Sequence, residues 1–207
     1  MIDWIFFDLD GVLVDSRQLH MNALKQALAH AGVSLEEELT KYLDGLPTKT
    51  KLQLLVERGL IDPDMAKKIN NHKQILTIEL LNQNISSNPK LRNLLLELKS
   101  YGLKLAVCSN AIRSTLDLTL QQLGIHDLFE FTISNEDVSE PKPSPEIYLK
   151  SLKIAQAHSY RVIIVEDSPH GIKAAVASGC QVMQVQSPLD LSWDLFCDYL
   201  KIQKKAL

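Results

Sequence analysis

Asp8 and Asp10 flank a single leucine directly after the apolar run WIFF, and Glu166-Asp167 follows a second apolar run, RVIIV. Between them come Ser109-Asn110, after KLAVC, and Lys142, set in the segment Glu140-Pro-Lys142-Pro-Ser-Pro. Carboxylates brought together without a counter-charge repel one another and cost stability. A hard divalent cation resolves that conflict, and carboxylate and carbonyl oxygens with several waters suit Mg²⁺. A carboxylate-held cation with a lysine nearby is equipment for phosphate, because both offset the charge of a transferring phosphoryl group. One aspartate can then attack phosphorus to give an aspartyl phosphate. The second, two residues on, is placed to protonate the leaving oxygen and later to activate a water.

That chemistry requires distant segments to meet, and the element pattern says how. Strands are expected at Trp4–Leu9, Lys104–Ser109, Phe129–Ser134, Arg161–Glu166 and Gln181–Val185, as apolar runs typical of strands buried on both faces. Helical patterns separate them at Pro89–Tyr101, Ile112–Leu123, Ser144–Ala157 and Pro169–Ser178, with Gly102, Gly124 and Gly179 at their ends. Strand–helix alternation implies a parallel sheet with right-handed crossovers, an α/β core. Ligands in such sheets bind at the carboxyl ends of the strands. Asp8, Asp10, Ser109, Asn110, Glu166 and Asp167 all stand at predicted strand ends. The stretch from Ser16 to Ile85 instead has helical periodicity throughout, broken at Gly32, at Asp44-Gly45-Leu46-Pro47 and at Ile61-Asp62-Pro63. It is far longer than the usual ~2–6 residues of a βα connection. The expected organisation is therefore an α/β core of residues 1–15 and 86–207 with an all-helical cap domain at 16–85. The segment Pro188–Leu200 is expected to pack a last helix or irregular turn on the sheet edge.

FFDLDGVLVDS, CSN, KPSPEIY and VEDSPHGIKAAVASG, in this order, resemble the four motifs of the haloacid dehalogenase-like (HAD) superfamily. The early helical insertion is similar to the cap of its β-phosphoglucomutase and phosphoglycolate phosphatase-like branch. The resemblance implies a Rossmann-like parallel sheet and assigns roles by position. Asp8 would be the nucleophile and a metal ligand. Asp10 would be the general acid/base, its backbone carbonyl also on the metal. Ser109 and the backbone amide of Asn110 would bind the phosphoryl group, and Lys142 would bridge nucleophile and phosphate. Asp167 would ligate the metal directly, and Glu166 directly or through water. An acid at position 10 favours phosphate ester chemistry, since the dehalogenase branch lacks one there. In the cap, His20 is a candidate edge-of-site residue, and Thr48 and Lys49, after the Gly-Leu-Pro turn, are candidate substrate contacts. A plain helix histidine and an N-cap at Thr48 are the competing readings. The related mutases commonly carry an arginine in this turn, so LPTKTK weighs toward hydrolysis over phosphate transfer.

Composition bounds the rest. With 22 basic and 25 acidic residues and a net charge of −3, the chain has no basic face for nucleic acid or an anionic membrane. The one basic cluster, Lys201, Lys204 and Lys205, reads as a solvated tail. Three cysteines without CxxC spacing argue against a disulfide scaffold, and six histidines without ligand spacing argue against zinc. The N-terminal apolar run is cut by Asp8 and lacks a basic lead, so no secretory signal is expected. The expectation is a cytosolic, monomeric, Mg²⁺-dependent phosphatase of a small phosphorylated metabolite. A sugar phosphomutase is the alternative, and a non-catalytic phosphometabolite-binding module the second.

Overall fold

The structure is a computed structural model and describes residues 2–43 and 46–200. The Asp44-Gly45 break and the Lys201, Lys204 and Lys205 tail lie outside the described residues. The chain divides into two compact units, one of residues up to Asp15 together with those from Ile85 on, the other Ser16–Asn84.

The first unit is built on a parallel sheet of β1 (Trp4–Phe7), β2 (Lys104–Cys108), β3 (Phe131–Ile133), β4 (Val162–Glu166) and β5 (Gln181–Gln184), in the order β3-β2-β1-β4-β5. Phe7 lies beside both Val107 of β2 and Val165 of β4. The next residue of each strand, Asp8, Cys108 and Glu166, therefore reaches the carboxyl edge at one level. Here the chain, having run outward from β1 to β3, crosses to the other side of β1, which is the switch in strand order where α/β sheets bind ligands.

Alternation along the strands divides the core in two. Ile5, Phe7, Leu105, Val107, Ile163 and Val165 pack with leucines of the helices Pro89–Ser100 and Arg113–Leu123 and with Phe196 of the helix Trp193–Leu200. Trp4, Phe6, Ala106, Cys108, Val162 and Ile164 pack against Ile147 and Tyr148 of the helix Glu146–Ala155 and Ala174 and Ala175 of the helix Pro169–Ala177. Local signals fix the helix ends. Asn88 accepts a hydrogen bond from the Leu91 amide at 3.1 Å, with proline next in the chain. Gly124 closes the Arg113–Leu123 helix in the left-handed region, φ 70°.

The strands are shorter than expected at their ends, and the reason is turn chemistry. Leu9 is not in β1: its carbonyl accepts from the amides of Val12, Leu13 and Val14, winding the chain into a tight turn that still buries Leu9. Ser134 leaves β3 to cap a short turn, its amide and hydroxyl both held by Asp137. Phe129 precedes β3, in the connection after the turn His126–Leu128.

The second unit is all helical: α1 (Arg17–His30), α2 (Glu37–Leu43), α3 (Thr48–Glu57) and α4 (Pro63–Asn84). The short α2 was not resolved by periodicity. Leu24, Ala27, Leu28, Leu43, Leu52, Leu55, Ile61 and Ile69 form the core of this unit. The Asp62 carboxylate caps α4 by accepting from the Met65 amide at 2.7 Å. Among the described residues no helix is long and apolar enough to cross a membrane. The three cysteines are free, Cys108 and Cys197 buried and Cys180 half-buried.

Candidate active site

Asp8 follows β1 and prolongs its pairing with β4 through its amide, which donates to the Val165 carbonyl at 3.0 Å. Its side chain is only 10% exposed. The Lys142 ammonium, 3% exposed, donates to Asp8 Oδ1 at 2.6 Å, Glu166 Oε1 at 2.7 Å and the Cys108 carbonyl at 2.7 Å. Three protons meet three acceptors, one from the end of each of β1, β2 and β4. The lysine thereby reads the alignment of the three central strands.

Asn110 supports the lysine from below. Its side chain accepts from the Lys142 amide at 3.0 Å and donates to the Lys142 carbonyl at 3.2 Å, while its own carbonyl is held by Asn135 at 2.8 Å. Ser109 is buried, with its hydroxyl oxygen accepting from the Ala111 amide at 3.0 Å. That bond closes a turn ahead of the helix, which begins at Arg113 with Ile112 at its N-cap, so Ser109 does not cap it.

Glu166 is fully buried, and both of its oxygens are engaged. Oε1 takes Lys142 and, at 2.9 Å, the Tyr148 hydroxyl. Oε2 takes the amides of Asp167 and Ser168 and the Ser168 hydroxyl, at 3.1 to 3.3 Å. Asp167 packs on the turn after β1, where a Cβ on Gly11 would fall 2.1 Å from its Oδ2. Gly11 also has φ 91°, which disfavours any side chain. Asp8, Glu166 and Asp167 each offer an oxygen within 4.8 Å of the others, the group that could hold a metal among the described residues. Asp10 sits half-buried on the same turn, paired in a short bridge with Val14.

The electrostatics follow from burial and neighbours. Burial pushes the Asp8 carboxyl well above the usual carboxylate range, and the charges of Glu166 and Asp10 add to this against the pull of Lys142. Burial opposes the charge on Lys142, but Asp8 and Glu166 outweigh it and hold the ammonium charged. Glu166 is buried too, yet Lys142, Tyr148 and the Ser168 amide keep it below its ordinary value. The Cys108 thiol is driven up to about 12 by burial.

A family profile for haloacid dehalogenase-like hydrolases matches residues 5–185, and that span includes every group of this constellation. The chain belongs to the haloacid dehalogenase-like hydrolases. A relative from Thermotoga maritima, a phosphorylated carbohydrates phosphatase, is 29% identical over 180 residues, covering 86% of this chain and 82% of its own. Among solved structures, CbbY of Rhodobacter sphaeroides in complex with phosphate is 25% identical with a TM-score of 0.78, over 89% of this chain and 86% of that one. β-Phosphoglucomutase of Clostridium difficile shares the fold at a TM-score of 0.80 and 24% identity, over 97% and 100% of the two chains.

For this hydrolase, the structure thus brings Asp8, Lys142, Glu166 and Asp167 together and sets Asp10, Ser109 and Asn110 at the same sheet edge. The other three sequence candidates belong to the helical unit. His20 Nδ1 lies 3.4 Å from the buried Lys73 ammonium within that unit. Thr48 and Lys49 open α3, and the N-cap position is Pro47, so the N-cap reading of Thr48 does not hold. Sequence reasoning missed Tyr148 and the side-chain role of Asn110. The signal for Tyr148 was a tyrosine in the lysine-bearing segment, since a buried hydroxyl needs a partner.

Proposed function

We propose that this hydrolase is a Mg²⁺-dependent phosphatase of small phosphorylated metabolites, sugar phosphates foremost, working through an aspartyl phosphate on Asp8. One observation carries the reading: a buried carboxylate at the switch of strand order, bonded to a buried lysine and grouped with two further acids. The matched relative named for phosphorylated carbohydrates supports the substrate class, and CbbY in complex with phosphate supports the chemistry.

The donor set suits the cation. It is all oxygen, acidic in excess of its one lysine, and Gly11 keeps clear the space that Asp167 uses. Asp8, Asp167 and the Asp10 backbone carbonyl would hold Mg²⁺, with Glu166, its oxygens already engaged, reaching it through water. Bound there, the ion supplies charge neutralisation and orientation for the phosphoryl group.

The chain's own residues do the remaining work. An Asp8 oxygen attacks phosphorus as the ester P–O bond breaks, and Asp10 gives its proton to the leaving oxygen. Water then attacks the phosphorus, Asp10 takes its proton, and the Asp8–phosphate bond breaks to release phosphate. Lys142 stays charged beside Asp8 and stabilises the negative oxygens through both steps. Ser109, whose oxygen already accepts from Ala111, has its proton to donate to the phosphoryl group.

Phosphate release from sugar 1- and 6-phosphates, glycerol phosphate, phosphoglycolate and nucleoside monophosphates, with Mg²⁺ and an Asp8→Asn control, tests the proposal. Release that vanishes in the control supports it. Interconversion of sugar 1- and 6-phosphates without release would instead make the chain a mutase.

A further inference from the structure

We propose that Tyr148 is a positioning residue of the hydrolytic site, its hydroxyl pinning the Glu166 carboxylate so that the Lys142 ammonium is shared with Asp8. The inference rests on the phosphatase reading above and adds to it a residue that does not touch the reacting atoms.

The argument begins with the capacity of Glu166. A carboxylate oxygen accepts about two hydrogen bonds in good geometry. Oε1 has those two, from Lys142 at 2.7 Å and Tyr148 at 2.9 Å. At Oε2 the bonds from Asp167 and Ser168 are longer, 3.1 to 3.3 Å, and all come from one side, the turn that starts the next helix. Held only there, the carboxylate can pivot about Oε2. Tyr148 is the second contact at its other end, and it opposes a turn of Oε1 toward Lys142.

Tyr148 is itself held firmly. It is fully buried in the core on one face of the sheet. Its amide donates to the Pro145 carbonyl at 3.0 Å. The neighbouring Ser151 hydroxyl lies 3.0 Å from Cys108 Sγ and 2.7 Å from the Ile147 carbonyl, tying the helix to β2. The ring also lies 5.0 Å from the Lys142 nitrogen, a cation–π contact. The phenol thus borders the lysine with its face and the glutamate with its hydroxyl.

Removing only the hydroxyl leaves the ring and its packing in place. Oε1 then has one partner, the lysine, and the carboxylate is released to turn toward it. The ammonium is drawn toward Glu166 and away from Asp8, where charge develops during transfer. Substrate binding in the ground state does not use this bond, so the loss falls on the chemical step.

The test compares wild-type chain and Tyr148→Phe, with Mg²⁺ and the ester of the panel above that turns over fastest, measuring kcat, KM and melting temperature. The expected result is a roughly tenfold fall in kcat with KM within about twofold, in a variant that melts cooperatively near the wild type. A Tyr148→Leu variant, which loses ring and hydroxyl together, should fall further in kcat and also in melting temperature. A Tyr148→Phe variant with wild-type kcat overturns the inference whatever its melting temperature, because a purely structural tyrosine moves only the latter. A loss confined to KM overturns it as well. Wild-type chain that releases no phosphate from any ester overturns the phosphatase reading and this inference with it, an outcome distinct from an active wild type with an indifferent Tyr148→Phe.

Discussion

Gly171 faces the Glu166 carboxylate so closely that a methyl group built on its backbone would lie 1.8 Å from Oε1 and 2.1 Å from Oε2. Its amide meanwhile donates to the Ser168 hydroxyl at 3.0 Å, capping the helix Pro169–Ala177. The first turn of that helix is therefore also the floor beneath the acid that holds Lys142. Gly171 has no unusual backbone angle, so its requirement is one of space alone. Gly171→Ala should displace Glu166 and cost about 1–3 kcal/mol, as overpacking does. Chemical denaturation would show this as a lower midpoint at unchanged slope, accompanied by a fall in kcat.

Lys142 is the cation that buried Asp8 and Glu166 share. Replacing it with methionine leaves Asp8 and Glu166 without their shared partner. Removing one member of a buried pair costs about 3 kcal/mol or more. The variant should melt well below wild type and lose turnover. Added Mg²⁺ should raise its melting temperature more than it raises that of the wild type, because the cation then supplies the missing charge. Calorimetry with and without Mg²⁺ measures both.

The Arg92–Asp127 pair gives a pH signature remote from the site. Its two hydrogen bonds, 2.7 and 2.8 Å, hold the Asp127 carboxyl down at about 2. A carboxyl with a lowered folded value contributes stability that is present above its ordinary value near 4 and lost as the pH falls toward 2. Asp127→Asn should flatten the melting temperature between pH 4 and 2 by lowering it slightly at pH 7, the pair being exposed, and leaving it unchanged near pH 2. Melting curves across that range in both proteins check the slope.

Cys108 forms part of the site wall, yet its thiol, pushed up to about 12 by burial, stays protonated at neutral pH. In the native chain at pH 8, iodoacetamide should leave Cys108 unmodified while the half-buried Cys180 reacts slowly. Both should react in denaturant. Peptide mass spectrometry separates the two.

The sheet was legible because strands buried on both faces read as continuous apolar runs, and Gly124 and Pro89 announce helix ends by local chemistry. The strand tips were not, since Leu9 is as apolar in its turn as it would be in a strand, and only the amides of Val12, Leu13 and Val14 reveal that it has left the ladder. The short helix Glu37–Leu43 spans too few residues to show a period. Asp8, Lys142, Glu166 and Asp167 could be read from residue type and strand position. Tyr148 could not, because its partner depends on the helix Glu146–Ala155 packing on the sheet face beside the end of β4. The Asn110 side chain was hidden for a like reason: its grip on Lys142 spans 32 positions and exists only once β2 and the proline-rich loop are side by side.

The central claim is that Asp8 carries the phosphoryl group. Replacing it with asparagine should lower turnover by about a thousandfold or more with the fold retained. The more direct measurement is to quench the wild-type chain during turnover, reduce it with borohydride, and map the product by peptide mass spectrometry. An acyl phosphate on Asp8 is reduced to homoserine, so the account predicts homoserine at position 8 and nowhere else, dependent on substrate. Sustained phosphate release with aspartate intact at position 8, or the phosphoryl group found on another residue, would contradict it.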